Sequence, residues 1–237
     1  MTDRPRLALL VAAHDGDSTR RNFRREIDAD LVELDAHDDL PPVADLDIDG
    51  LVVTGSRSSV YGDEPWIDPL VEWVRTAVED HDLPALGVCF GHQTLAAALG
   101  GRVEHMGDYE IGYREIERAG DDPVLAGLDD RFLAFTTHQD AVVELPPGAT
   151  QIAGNDYGVQ GFRTGRAWGV QFHPEYDLDT AERIAEKKRD HEMLTSAEID
   201  EVLAGVTPEN YDRACGAKRL FENFLGVVEE RRSAPAR

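Results

Sequence analysis

Residues 84–101 read Pro-Ala-Leu-Gly-Val-Cys-Phe-Gly-His-Gln-Thr-Leu-Ala-Ala-Ala-Leu-Gly-Gly, and no other segment limits the fold as much. A short apolar strand at 84–88 runs into a helix at 92–99 through one cysteine, and paired glycines close the helix. A tight turn of this kind lifts the cysteine side chain above the sheet edge. Gly87 and Gly91 leave room for the bend and for close strand–helix packing. A strand apolar along its whole length belongs to a parallel sheet covered on both faces.

The rest of the chain extends that picture. Apolar runs at 6–13, 30–34 and 50–54 predict three more strands. Residues 66–78 place Trp66, Ile67, Leu70, Trp73, Val74, Ala77 and Val78 at helical spacing. Short runs at 102–108, 111–117, 131–136, 141–145, 151–153, 159–163 and 167–172 follow, divided by turn signals, with Thr164-Gly165 as a hairpin turn. They predict an antiparallel portion. The tail predicts helices at 180–191, 196–204 and 210–228, with a start signal at Thr207-Pro208-Glu209 and fraying over 231–237. The expected fold class is α/β: a mainly parallel central sheet flanked by helices, an antiparallel extension and a helical C-terminal tail, in one domain over 1–237. Residues 177–212 form a charged helical insertion, which suits a lid, a docking surface or a solvated helix pair.

Composition removes several function classes. No apolar run reaches the about 18 residues that a membrane span requires. The apolar stretch after Arg6 is short and reads as a strand, not a signal peptide. Two cysteines far apart, Cys89 and Cys215, make no disulfide framework, so a cytoplasmic location is expected. With 47 acidic against 24 basic side chains, the net charge of −23 opposes binding to nucleic acid. The acids are scattered, which fits a hydrated surface soluble in concentrated salt, as in a halophile; a basic partner is the other reading.

Three segments carry chemistry. Cys89 stands at a helix N-terminus, where the dipole favours a thiolate, and the Phe90 N–H can bind a developing oxyanion. A buried core cysteine fits the same residues nearly as well. In Gln171-Phe172-His173-Pro174-Glu175, residues two apart share a face of an extended chain. Glu175 can then orient His173 as a base, although a single histidine is also commonly structural. The loop Thr54-Gly55-Ser56 at a strand end can offer a second oxyanion N–H or be an ordinary connection; it lacks the pattern of a P-loop.

Taken together, these motifs resemble a family. Gly-Val-Cys-Phe-Gly-His-Gln resembles the nucleophile motif of the class I, triad-type glutamine amidotransferases, Gln-Phe-His-Pro-Glu their distal motif, and Thr136-Thr137-His138-Gln139-Asp140 their substrate motif. The resemblance covers roughly 6–175. It implies a flavodoxin-like glutaminase fold with Cys89 as nucleophile, His173 as base and Glu175 as its partner. It implies Gly55 and Phe90 as oxyanion donors, and Gln93, Thr137, His138 and Gln139 around the amino-acid end of glutamine. Many members carry Gly-Gly-Pro where this chain has Thr-Gly-Ser. That stretch, with Ser59-Val60-Tyr61 and Pro65-Trp66-Ile67, looks more like stand-alone members: γ-glutamyl peptidase-like proteins and those labelled GMP-synthase-like.

The resemblance implies thioester hydrolysis of glutamine or of a γ-glutamyl bond, with no metal and no cofactor. No ATP-binding motif follows residue 175, so a biosynthetic role implies docking on a separate synthetase subunit. A vestigial site on a binding protein is the remaining alternative.

Overall fold

Alternate side chains of the first strand point to opposite faces of the sheet, and both faces are buried. In the computed structural model, which describes residues 4–234, strand β1 spans Arg6–Val11. Leu7, Leu9 and Val11 join one core cluster; Ala8 and Leu10 join the other. Strands β2 (Asp30–Asp35), β3 (Gly50–Val53) and β4 (Ala85–Val88) lie parallel to it or to one another. On one face, Phe23 of helix α1 (Gly16–Glu26) packs with Phe221, Phe224 and Val228 of the C-terminal helix. On the other lie helices α2 (Ile67–Glu79), with Leu70, Trp73 and Val74, and α3 (Phe90–Ala98), with Leu95 and Ala96. This is the expected two-sided parallel sheet.

The antiparallel extension is also present, with longer strands than the sequence predicts. β5 is one strand, Arg102–Arg118, where 102–108 and 111–117 read as two. The chain turns at Gly107 (φ +75°), and the ladder shifts register between His105 and Glu110, so a bulge replaces the break. β6 (Arg131–Glu144) likewise passes through the Thr-His-Gln-Asp segment without interruption. β7 (Thr150–Asn155), β8 (Gly158–Thr164) and β9 (Ala167–Val170) complete the sheet. Its order is β2-β1-β3-β4-β9-β8-β7-β5-β6, with β9 parallel to β4 and antiparallel pairing beyond it. β4, which leads into Cys89, therefore lies next to β9, the strand at which parallel pairing gives way to antiparallel.

The tail is helical, in shorter pieces than expected. Helices α4 (Leu178–Lys187) and α5 (Ser196–Gly205) pack Ala181, Ala185 and Ile199 against Tyr109, Ile111 and Phe135 of β5 and β6. The predicted helix at 210–228 divides into α6 (Pro208–Ala214), a 3-10 turn (Cys215–Lys218) and α7 (Arg219–Ser233). Thr207 caps α6 with Pro208 in its first turn, as the sequence signals. α7 continues in register through Ser233, against the expected fraying from 231; residues 235–237 lie outside the described part. Among the described residues no helix is long and apolar enough to cross a membrane.

Candidate active site

Cys89 leaves β4 and caps α3 with φ +55° and ψ −105°. Such a backbone costs a non-glycine residue about 1–3 kcal/mol and persists only where its surroundings impose it. Here the Cys89 N–H donates to the Val170 carbonyl at 2.8 Å, and the Gln93 N–H donates to the Cys89 carbonyl at 3.2 Å. Strand and helix meet with no space between them. A Cβ on Gly87 would stand 2.2 Å from the Gly91 carbonyl oxygen, and a Cβ on Gly91 2.1 Å from that of Val53. Gly91→Ala is therefore expected to destabilise the fold by about 3 kcal/mol or more. By thermal unfolding that is a midpoint roughly 6–12 °C lower for a chain of this size. A drop below about 2 °C would contradict the close contact.

His173 and Glu175 lie just past β9, not on it. The sequence predicts a strand reaching 172, but β9 ends at Val170. The reason is local: the His173 N–H leaves the β9 ladder and donates to Phe135 of β6 at 2.8 Å, and Pro174 has no N–H to give. The pair still meets. His173 Nδ1 is 2.8 Å from Glu175 Oε1, with both side chains buried. Tyr176 stacks on the imidazole at a centroid distance of 4.2 Å. The other ring nitrogen, Nε2, is buried and unsatisfied within the protein.

Gly55, on the loop after β3, joins these groups. A Cβ there would lie 3.0 Å from His173 Cε1 and 3.7 Å from Cys89 Cβ, so its backbone rests against both. Phe90 opens α3, and N–H groups in a first helical turn have no partner within the helix. Cys89 Sγ is 3.8 Å from the Thr137 carbonyl of β6. The sequence-predicted catalytic and oxyanion residues thus converge on one point at the carboxyl ends of β3, β4 and β9.

The four expected glutamine-binding residues divide. Thr137 borders the thiol and its hydroxyl meets Tyr109 at 3.1 Å. Gln93 gives its amide hydrogens to the Asp140 carbonyl and to Gln171 Oε1, at 3.0 and 3.1 Å. The His138 ring is engaged at both nitrogens, with Glu110 at 2.6 Å and the Asp140 carbonyl at 2.9 Å. Gln139 is half-buried on β6.

Two buried histidines beside the elbow titrate in opposite directions. Burial pushes His92 down to about 3, because no carboxylate faces it. Burial also acts to lower His173, but the negative charges of Glu175 and then Cys89 outweigh it and push the group up to about 10. The arrangement holds an imidazolium beside the Cys89 sulfur, which is the state a proton donor to a leaving amine requires. Among the described residues no three His, Cys, Asp or Glu side chains converge as a metal site.

The sequence pattern of the family described as Glutamine amidotransferase class-I matches residues 17–189. The chain belongs to this family.

Proteins similar to this chain include GMP synthases and a γ-glutamyl peptidase. A glutamine-hydrolyzing GMP synthase subunit of Halobacterium salinarum is 36% identical over 173 residues, 70% of this chain and 88% of that protein. Gamma-glutamyl peptidase 3 of Arabidopsis thaliana is 30% identical, with 78% of each chain covered. The match to the GMP synthase of Thermomicrobium roseum, 38% identical over 127 residues, spans 23% of that longer protein. Among solved structures, a glutamine amidotransferase from Thermotoga maritima superposes with a TM-score of 0.78 at 25% identity, covering 94% of this chain and 98% of that one.

Some contacts that shape the site are not legible in the sequence. Asp140 is buried and accepts hydrogen bonds from the hydroxyls of Ser59 and Tyr61, the latter at 2.7 Å. Through them β6, which carries Thr137, is tied to the loop that carries Gly55. Glu110 is fully buried and gathers His138, Asn155 and Gln160. Glu110 falls between two predicted strands, and Asp140, although in the 136–140 motif, gives no sign in the sequence of partners 79 and 81 residues away.

Proposed function

We propose that this chain hydrolyses the side-chain amide of glutamine or a γ-glutamyl bond through a thioester on Cys89. The observation that carries the reading is the strained turn presenting Cys89, with the buried His173–Glu175 pair and the Gly55 backbone against it. The Cys89 sulfur attacks the amide carbon and forms a C–S bond. The oxyanion is held by the Phe90 and Gly55 N–H groups. The C–N bond then breaks, and the His173 imidazolium gives its Nε2 proton to the departing ammonia or amine. Neutral His173 next takes a proton from water as that water attacks the thioester; glutamate leaves and the thiolate–imidazolium pair returns. Glu175 fixes the ring through Nδ1 and stabilises its positive charge. Thr137 and the neighbouring β6 backbone, with Gln93 behind them, border the space for the amino-acid end.

A second reading has its own support. The similarity to the Halobacterium salinarum GMP synthase subunit over most of both chains favours a glutaminase that supplies ammonia to a separate synthetase. The test is the purified protein with glutamine, a panel of γ-glutamyl amides and a glutamine analogue bearing an electrophilic carbon in place of the amide. Glutamate release and one added mass on the Cys89 peptide are expected. Release only after a synthetase is added selects the second reading; neither release nor labelling sinks both.

A further inference from the structure

One cation near the site is unlike the others. The chain has about two acids for each base, and its described cations almost all touch a carboxylate, a polar group or a ring. Among the described lysines and arginines, Arg57 alone has no hydrogen bond, ion pair or ring contact. It is exposed and stands two residues past Gly55, within about 7 Å of it along an extended chain. In a protein of net charge −23, a guanidinium left unmatched two residues from Gly55 is what binding an anion from outside would require.

Its neighbourhood points to the departing half of the substrate. His14, shortly after β1, lies 3.0 Å from the hydroxyl of Ser58 and within electrostatic reach of Arg57. Arg183 of α4 acts on the charge of Tyr176, which stacks on His173, and also faces Asp15, the residue after His14. His173 is the proposed donor to the leaving amine, and Gly55, two residues before Arg57, rests against its Cε1, so this loop borders the side on which the amine departs. Of the acids nearby, Glu64 accepts from Ser58, and Asp15 faces Arg183 and Lys187. Thr137 and Gln93, expected around the glutamyl end, lie on β6 and α3, whereas Arg57 is on the loop that touches His173.

We propose that Arg57, with His14 beside it, receives the carboxylate of an amino-acid or peptide leaving group, so that the site selects γ-glutamyl peptides over simple γ-glutamyl amides. This rests on the hydrolase reading above. A guanidinium–carboxylate contact at an exposed rim adds a modest preference, on the order of tenfold.

The experiment compares kcat/KM for three substrates: glutamine, γ-glutamylglycine and γ-glutamylglycinamide, the last two differing only in the carboxylate. Wild type is expected to favour γ-glutamylglycine over the glycinamide by about tenfold. Arg57→Ala should remove that preference while leaving glutamine and the glycinamide within about twofold, and Arg57→Lys should restore part of it. The preference should also shrink as salt is raised. Equal losses on all three substrates would place Arg57 at the glutamyl end and overturn the proposal, as would no loss on any. Hydrolysis of glutamine without γ-glutamylglycine overturns this inference alone. Hydrolysis of none, with Cys89 unlabelled by the electrophilic analogue, overturns the hydrolase reading with it.

Discussion

With alanine at position 89, glutamate release from glutamine and from γ-glutamyl amides is expected to fall by about 10⁴-fold or more. No neighbouring group can take over the attack. The other cysteine, Cys215, lies in the 3-10 turn before α7. The serines of the Gly55 loop are engaged elsewhere: Ser56 accepts from the Ser58 N–H, Ser58 binds His14 and Glu64, and Ser59 donates to Asp140. The fold should hardly notice the change. The sulfur's hydrogen-bond contact is long, to the Thr137 carbonyl at 3.8 Å, and alanine inherits the same positive φ, so the strain stays. A melting midpoint within about 2 °C of wild type is therefore expected together with an inactive enzyme. Glutamate release, mass spectrometry of the electrophile-labelled protein and thermal unfolding read these effects separately. Retained hydrolysis in Cys89→Ala would place the nucleophile on another residue.

The contrast between that turn and the rest of the site shows which physics a sequence exposes. The elbow is legible because its parts are contiguous: an apolar strand, a glycine on each side of the cysteine, then a helix. His173 and Glu175 are legible for the same reason, although a turn and not a strand brings them together. The parallel half of the sheet follows from apolar runs that must be buried on both faces. Helix α1 escapes the sequence pattern, because it buries only Asn22 and Phe23 and carries four arginines. Its place is set by tertiary packing of one aromatic ring, which leaves no periodic trace. β5 reads as two strands since a glycine turn and a bulge look alike in one dimension. Asp140 and Arg57 matter through partners gained or absent across the fold: Asp140 lies 81 residues from Ser59 in the chain, and only the folded structure reveals that Arg57 is left unmatched.

Glu175→Gln tests the electrostatic half of the site. Glutamine keeps the shape and can still bond to His173 Nδ1, but it removes the first of the charges that hold the ring protonated. Burial, which acts to lower His173, is then opposed mainly by Cys89. In the wild type the imidazolium persists up to a pKa of about 10, so the alkaline limb of kcat/KM is expected near that pH. In Glu175→Gln the limb should move down by more than about one unit, toward the ordinary histidine value near 6.5. At neutral pH kcat should fall by about 10²–10⁴-fold, the scale seen when a base loses the acid that orients it. Stability follows the same sign. A histidine raised on folding stabilises fully below its unfolded pKa near 6.5, and that contribution fades as pH rises through about 10. The variant should therefore melt lower than wild type at pH 6, and the gap should close toward pH 10 and above. An unchanged alkaline limb, or a gap that widens with pH, would mean that Glu175 does not hold the charge on His173.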